Sequence, residues 1–125
     1  MEEALKELLK AIEDLKDKAR DGWVIVVEGV KDREALRKLG VDGEIVTFSG
    51  FLSTAEKLRD KKVVILTDYD DKGEKIERGL QRALLSYGKT ADVELRKRIF
   101  CYVKKEITKV EELYAYLVRE GHVGV

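Results

Sequence analysis

The sequence predicts an α/β protein in which a parallel sheet of three to four strands is flanked by helices. Two short apolar runs, Val24–Val27 and Val63–Leu66, have the length and composition of strands that are buried on both faces. Each run is followed by acidic residues and then by an amphipathic stretch, and a further strand candidate, Glu44–Phe48, lies between them. Strands that alternate with helices in this way form parallel sheets with right-handed crossovers.

The predicted elements follow in the order α, β-α-β-α-β-α. Residues 2–20 are expected to form an amphipathic helix, because apolar residues recur there at spacings of three and four. The first strand, Trp23–Val27, leads into a helix for which Asp32 is the predicted N-cap. After the second strand, Ser53 is expected to cap a short helix that continues through Arg59.

The last third of the chain is predicted to be helical. A long helix after the third strand starts at about Lys72 and ends at Gly88. Residues 92–106 carry apolar residues at helical spacing, although Ile99–Val103 also has the propensity of a fourth strand, and we favour the helix. Thr108–Glu111 has the pattern of a capping box that starts the final helix.

Length and composition limit the class of protein. The 125 residues are enough for one hydrophobic core, so we expect a single domain over residues 1–125. The 25 basic and 25 acidic residues balance, which excludes the overall basic field of many nucleic-acid-binding proteins. The single cysteine and the lack of a membrane-length apolar run lead us to expect a cytoplasmic protein, and the 40% of charged residues indicates a thermophilic source.

Acidic residues follow two of the predicted strands at the point where each strand ends. Glu28 and Gly29 follow the first strand, and Asp68 and Asp70 follow the third. Side chains alternate along an extended chain, so the two aspartates project to the same side, and the carboxyl ends of parallel strands share one edge of the sheet. Carboxylates that lie close together repel each other unless a cation lies between them. The sequence therefore predicts a site for a hard divalent cation such as Mg²⁺ at this edge.

The same acidic residues also occur in other kinds of site, which the sequence fits to different degrees. Asp68–Gly73 also has the composition of a polar turn that caps the following helix. An EF-hand loop is excluded, because Gly79 stands where the last carboxylate ligand is required. The Walker phosphate-binding pattern does not occur, and one Cys with one His cannot form a zinc site. A receiver-like phosphoacceptor domain would have paired aspartates where Glu28 and Gly29 stand.

The two acidic motifs together resemble those of the Toprim domain. Topoisomerases, bacterial-type primases, old-family nucleases and a ribosomal-RNA-maturing ribonuclease share that domain. The motifs are Val-Val-Glu-Gly at residues 26–29 and Asp-Tyr-Asp at residues 68–70. The resemblance covers roughly residues 22–90 and leaves the N-terminal helix (about 2–20) and the C-terminal helices (about 92–120) outside it. It implies a Toprim-like (Rossmann-like) fold and a likeness to small stand-alone archaeal Toprim proteins of primase-like or maturase-like type.

The resemblance also implies roles for individual residues. In the family, the two aspartates hold Mg²⁺ and the glutamate acts as general acid or base. Carried over, Asp68 and Asp70 are metal ligands, and Glu28 is the catalytic proton-transfer group and a further ligand, with Mn²⁺ as an alternative metal. The residues expected to support these acids are Asp71, Asp32, Gly29 and Gly73. The cations expected to contact a nucleic-acid backbone are Lys31, Arg33, Lys72 and Lys75. Two further basic clusters, residues 96–98 and 104–105, lie further off and are more typical of solvated helix faces.

Among the Toprim activities, the sequence favours hydrolysis of phosphodiesters. A topoisomerase needs a tyrosine nucleophile, which normally lies on a separate domain, and a primase needs a zinc module and a larger catalytic body. Hydrolysis by water needs the least additional apparatus, so we expect a nuclease-like or RNA-processing protein that contacts RNA or DNA through a local patch. The alternative is a non-catalytic Toprim module that binds nucleic acid or a partner protein.

Overall fold

A computed structural model of the chain describes residues 2–122, which contain a parallel sheet of three strands. The strands are β1 (Val24–Val27), β2 (Ile45–Thr47) and β3 (Val63–Ile65), and their order in the sheet is β2-β1-β3. The predicted α/β fold with a parallel sheet is confirmed. Met1 and residues 123–125, at the two ends of the predicted domain, lie outside the described residues.

Six α-helices surround the sheet within residues 2–122. They are α1 (Glu2–Arg20), α2 (Val30–Lys38), α3 (Phe51–Lys57), α4 (Asp71–Leu85), α5 (Glu94–Phe100) and α6 (Leu113–Arg119). A short 3-10 turn, Val110–Glu112, leads into α6. Over the part of the chain that the structure describes, no helix is both long enough and apolar enough to cross a bilayer.

The two faces of the sheet pack against different helices. Ile25 and Val27 of β1 belong to a core that includes residues of α1, α2, α5 and α6. Val24 and Val26 belong to a second core with residues of α3 and α4. Adjacent residues of a strand face opposite sides of the sheet, so a strand covered on both sides needs apolar residues at every position. This explains why the sequence of β1 is a continuous apolar run.

The start of α2 differs from the prediction. Asp32 was expected to be the N-cap, but the helix begins at Val30 and Gly29 occupies the N-cap position. Asp32 is the third residue of the helix, and its Oδ2 accepts a hydrogen bond from Gly29 N at 3.0 Å. A carboxylate at this position can reach back to the N-cap amide, as the glutamate of a capping box does. The pattern therefore fits a helix whose N-cap lies three residues earlier.

Two other predicted caps are also wrong. The first helical residue of α3 is Phe51, and the N-cap is Gly50 at a φ of +113° rather than Ser53. This φ lies in the region that favours glycine, which has no Cβ to clash. The capping box expected at Thr108–Glu111 does not form, because the backbone makes a 3-10 turn with Lys109 at its N-cap position.

The last third of the chain is helical, but its helix is shorter than the expected 92–106. The candidate fourth strand Ile99–Val103 lies in the end of α5 and the turns that follow it. The sheet is extended instead by a single bridge at Asp92, which pairs in parallel with β3. Ile65 N donates to Asp92 O at 3.0 Å, and Asp92 N donates to Val63 O at 2.8 Å. Asp92 alone thus provides the hydrogen bonds that β3 makes at its outer edge, and the residues after it are free to form a helix.

Candidate functional site

The two acidic motifs meet at one edge of the sheet. Strands β1 and β3 are adjacent and parallel, and Val26 of β1 is paired with Ile65 of β3. The segments that follow them therefore leave the sheet side by side. Glu28 Oε2 accepts a hydrogen bond from Asp68 N at 2.9 Å, although the two residues are forty positions apart in the chain. The structure thus brings Glu28 and Asp68 together at this edge.

Asp68 is held by hydrogen bonds at one carboxylate oxygen and is open at the other. Its Oδ1 accepts a hydrogen bond from Val110 N at 2.8 Å. Its Oδ2 accepts none from residues 2–122, and no buried polar side-chain atom in that range lacks a partner, so Oδ2 must reach solvent. One oxygen of Asp68 is therefore available to a ligand.

Negative charge accumulates around Asp68. Burial, together with the charges of Asp32 and Glu28, raises the pKa of Asp68 from its usual 3.8 to about 6. The hydrogen bond from Val110 N and the charge of Lys109 lower the pKa of Asp68, but by less than burial and the two acids raise it. Burial also raises the pKa of Asp32, and Glu28 adds to that rise. Such shifts arise where carboxylates are close together and partly removed from water.

Asp70 caps the helix that follows it. It is the N-cap of α4, and its Oδ1 accepts a hydrogen bond from Gly73 N at 2.7 Å. The polar-turn interpretation of this segment therefore describes one of the two aspartates of the motif. Asp71 is the first residue of α4 and is exposed, where its charge suits the positive end of the helix dipole.

The two glycines of the motifs have different roles. A Cβ at Gly73 would overlap the backbone oxygen of Asp68, so only glycine allows α4 to approach the end of β3 this closely. Thr67 Oγ1 completes the contact by donating to Gly73 O at 2.8 Å. A Cβ at Gly29, by contrast, would meet nothing within 4 Å, and φ there is −150°, which any residue adopts. Neither φ nor steric contact with the described residues requires glycine at position 29.

Among the predicted nucleic-acid-binding cations, Lys72 lies at the acidic edge. Its Nζ is 3.9 Å from Glu28 Oε1, and its side chain is 79% exposed while that of Glu28 is 14% exposed. Lys75 is exposed one turn further along α4. Lys31 lines a cavity between α2 and α6, and Arg33 is half-buried on α2.

Arg96 belongs to a cluster, residues 96–98, that the sequence predicts to be a solvated helix face or a distant nucleic-acid contact, but the structure places it at the site. It is buried, with its Nη2 donating to Asp68 O at 2.8 Å and its Nε donating to Thr67 O at 3.1 Å. Its Nη1 pairs with Glu77 Oε1 at 3.2 Å. Arg96 therefore fixes the backbone that carries the Asp68 carboxylate. A signal was present in the sequence, since helical spacing places Arg96 on the same face as Phe100.

The acids offer the oxygen atoms that a metal ion would need, but they are not arranged as a complete set of ligands. Within residues 2–122, no three His, Cys, Asp or Glu side chains are already placed to hold a metal ion. Glu28, Asp68 and Asp70 each use one oxygen to accept a backbone hydrogen bond. Mg²⁺ is commonly held by one or two carboxylates together with waters and substrate phosphates. The solvent-facing Oδ2 of Asp68 and the accumulated negative charge fit Mg²⁺ or Mn²⁺ bound in this open manner.

In open parallel α/β sheets, ligand sites form at the carboxyl ends of the strands, where the acids of this chain lie. The Toprim domain matches residues 23–111, which is most of the chain and extends past the expected 22–90. The chain therefore belongs to the Toprim domain family. Toprim domains generally bind divalent metal ions and are associated with nucleic acids.

Similar proteins occur in archaea. A "UPF0292 protein" of Archaeoglobus fulgidus is 55% identical over 114 residues, which cover 91% of this chain and 92% of that protein. A "UPF0292 protein" of Thermococcus sibiricus is 40% identical over 116 residues, covering 88% and 90%. A solved structure of a protein from Aquifex aeolicus matches with a TM-score of 0.69 and 32% identity over 82% of this chain and 94% of that one. The expected likeness to small archaeal Toprim proteins is confirmed.

Proposed function

We propose that the protein is a Mg²⁺-dependent phosphodiester hydrolase that acts on nucleic acid, as a nuclease or an RNA-processing enzyme. The observation that supports this most directly is the hydrogen bond between Glu28 and the backbone of Asp68. It joins the two Toprim motifs at one edge of the sheet. Structural packing alone does not require half-buried acids there. The raised pKa of Asp68, caused first by burial and then by the charges of Asp32 and Glu28, indicates that a charged carboxylate at this position costs stability.

Asp68, Asp70 and Glu28 are the proposed ligands of the metal. A bound divalent cation would neutralise charge on the phosphate and activate a water molecule for attack. Asp68 offers its Oδ2, while the hydrogen bond from Val110 N holds the other oxygen in place. Arg96 holds the Asp68 backbone and so limits the positions that this carboxylate can adopt.

Glu28 is the proposed proton-transfer group. Its Oε2 is restrained by Asp68 N, and its Oε1 lies 3.9 Å from Lys72 Nζ. A half-buried carboxylate with one fixed oxygen is suited to take a proton from a water molecule or return one to the leaving oxygen. Lys72 is exposed and long enough to contact a phosphate beside this group, and Lys75 extends the positive charge along α4. Asp32, Asp71, Gly29 and Gly73 are proposed to shape the backbone around these residues.

The test is Mg²⁺-dependent cleavage of structured RNA and DNA by the wild type, Glu28→Gln and Asp68→Asn. Both variants keep an oxygen that can accept the existing backbone hydrogen bond. We expect Glu28→Gln to lower the cleavage rate by about 100-fold or more, the range typical of a lost acid–base group. Asp68→Asn should have an effect of about the same size, because it removes a proposed ligand of the metal on which the reaction depends. Asp60→Asn is a matched control, because that side chain is 88% exposed and follows α3. Full activity in both site variants would remove these residues from the mechanism.

One observation favours a second candidate function, that of a non-catalytic Toprim module. No set of three ligating side chains is assembled in residues 2–122. In such a module the acids and the metal would brace the segments after β1 and β3 while the domain binds nucleic acid or a partner protein. Nucleic-acid binding by the wild type and by both site variants, with cleavage by none of them, would support this function.

A further inference from the structure

A second surface of interest lies between α3 and α4. This α3–α4 patch is a cavity of about 590 Å³ lined by Phe51, Leu52, Lys75, Arg78, Gly79, Arg82, Ala83 and Ser86. The lining combines large apolar side chains with three basic residues and includes no acidic residue. The α3–α4 patch lies on the side of the sheet opposite to α1, α5 and α6.

Phe51 presents an exposed aromatic ring that is held in position. The side chain is 41% exposed. A Cβ at Gly79 would overlap the ring, so Phe51 packs directly on the backbone of α4. The ring of Phe48 contacts it edge-on, with 5.1 Å between centroids. Glycine is unfavourable inside a helix. The packing of the Phe51 ring explains why a glycine stands at position 79.

Leu52 lies beside this ring and is 77% exposed. An exposed leucine alone is ordinary, but adjacent exposed apolar side chains in a cavity mark binding surfaces. The ring and Leu52 therefore form an apolar platform whose outer side is open.

A row of cations extends from the apolar platform toward the edge of the sheet at which Glu28 and Asp68 lie. Lys72, Lys75 and Arg82 recur along α4 and span about 15 Å of helix. Lys72 is beside Glu28, whereas neither Lys75 nor Arg82 forms an ion pair with any residue of the range 2–122. Positive charge that the described residues leave uncompensated is complementary to a polyanion.

We propose that the α3–α4 patch binds single-stranded nucleic acid, with a base stacked on Phe51 and phosphates beside Lys75 and Arg82. The proposal rests on the proposed function and adds the substrate class: the strand that crosses the patch would lead past Lys72 to the acidic edge. An aromatic ring beside a cationic track is the combination by which proteins hold single strands. Bases inside a duplex are stacked on each other and cannot offer a face to the ring.

The test is fluorescence anisotropy with labelled dT12 and U12 and with a duplex of the same length. It is performed in EDTA over a range of salt concentrations, so that no cleavage is required. We expect Phe51→Ala to weaken single-strand binding by about tenfold without changing the salt slope. The double variant Lys75→Gln, Arg82→Gln should lower that slope by about 1.4, since each phosphate contact contributes about 0.7 for single strands. Tyr102→Ala and Lys10→Gln, on the other side of the sheet, are matched controls and should stay within twofold of the wild type.

Phe51→Tyr keeps the ring and should retain the wild-type affinity, which separates stacking from a general effect on folding. Equal affinities of the wild type and Phe51→Ala would overturn the proposal, whatever the cleavage assays show. Single-strand binding that depends on Phe51, in a protein that cleaves nothing, would support the patch and reject the hydrolase. Absence of binding by the wild type would overturn the proposal, and a dimer that Leu52→Ser dissociates in sedimentation would identify a second copy as the occupant.

Discussion

Asp68 illustrates how a single residue can be unfavourable for stability and useful for chemistry. Its carboxylate is half-buried, lies near two other acids and accepts a backbone hydrogen bond from Val110. A neutral residue of the same shape would satisfy that hydrogen bond without bringing charge into the site. An aspartate at this position is consistent with the proposed ligand of opposite charge, since packing does not require the charge.

At the residue scale we predict the pH dependence of stability in the metal-free protein. Because the pKa of Asp68 is raised to about 6 in the folded state, protonation favours folding. Its contribution is fully present below about pH 3.8 and is lost as the pH rises through 6. Asp68→Asn should therefore be more stable than the wild type at pH 7 by about 1–2 kcal/mol, less than the full shift implies because one oxygen reaches solvent.

Urea unfolding of both proteins in EDTA between pH 4 and pH 8 measures this difference. The two free energies of unfolding should converge near pH 4. Asp60→Asn, at an exposed position, should run parallel to the wild type over the whole range. A lower stability of Asp68→Asn at pH 7 would contradict the prediction.

The position of α5 depends on contacts with β3 that are not local in sequence. Arg96 of α5 donates hydrogen bonds to the backbone oxygens of Thr67 and Asp68. Asp92, just before the helix, accepts hydrogen bonds from Glu94 N and Leu95 N and pairs with Lys18 of α1. Burial alone would raise the pKa of Asp92, but Lys18 and these amides hold it below its usual value. The start of α5 is thus fastened to β3 through Asp92 and to the segment after β3 through Arg96.

At the element scale we predict the consequences of removing the Arg96 anchor. Arg96→Met keeps a long apolar stem but leaves the oxygens of Thr67 and Asp68 and the carboxylate of Glu77 without their partner. The expected loss is about 3–5 kcal/mol in the free energy of unfolding, as for one broken side of a buried ion pair.

Arg98→Met is the matched control for this anchor. Arg98 lies on the same helix and pairs with Asp14, but both side chains are 41–52% exposed. An exposed pair contributes about 0–1 kcal/mol, so this variant should be nearly neutral in chemical denaturation. Equal losses for the two variants would show that Arg96 acts as a surface residue.

In the whole molecule, the pairing of the strands brings acids from two segments that are distant in sequence to one edge of the sheet. The register of β1 against β3 places Glu28 beside the Asp68 backbone without any local turn between them. Charge concentrated in this way is destabilising until a cation is bound, so metal binding and global stability should be coupled.

At the scale of the whole molecule we predict that Mg²⁺ stabilises the wild type against thermal unfolding. At concentrations 10- to 100-fold above Kd, the gain should be about 1.4–2.7 kcal/mol, equivalent to several degrees in Tm. Asp68→Asn should lose most of this gain, whereas Asp60→Asn should retain it. Differential scanning calorimetry with NaCl at matched ionic strength separates binding from screening. An identical Mg²⁺ response in both variants would place the metal elsewhere.

Local patterns in the sequence determined the three strands, the parallel topology and the order of helices, because the short continuous apolar runs of the strands and the 3.6-residue period of the helices are visible in the chain itself. They also identified Glu28 and Asp68, since acids directly after buried strands are conspicuous. Helix starts such as that of α2 were less well predicted. An acid can serve a helix end from the N-cap or from the third position, and the sequence of α2 fits both.

Only the tertiary structure decided which polar groups share the site and which partners each of them contacts. The burial of Arg96, the bridge at Asp92 and the exposure of the Phe51 ring depend on elements that pack from elsewhere in the chain. The physical reason is that solvation and charge interactions depend on distance in space, and residues separated by tens of positions become neighbours only when the sheet has formed.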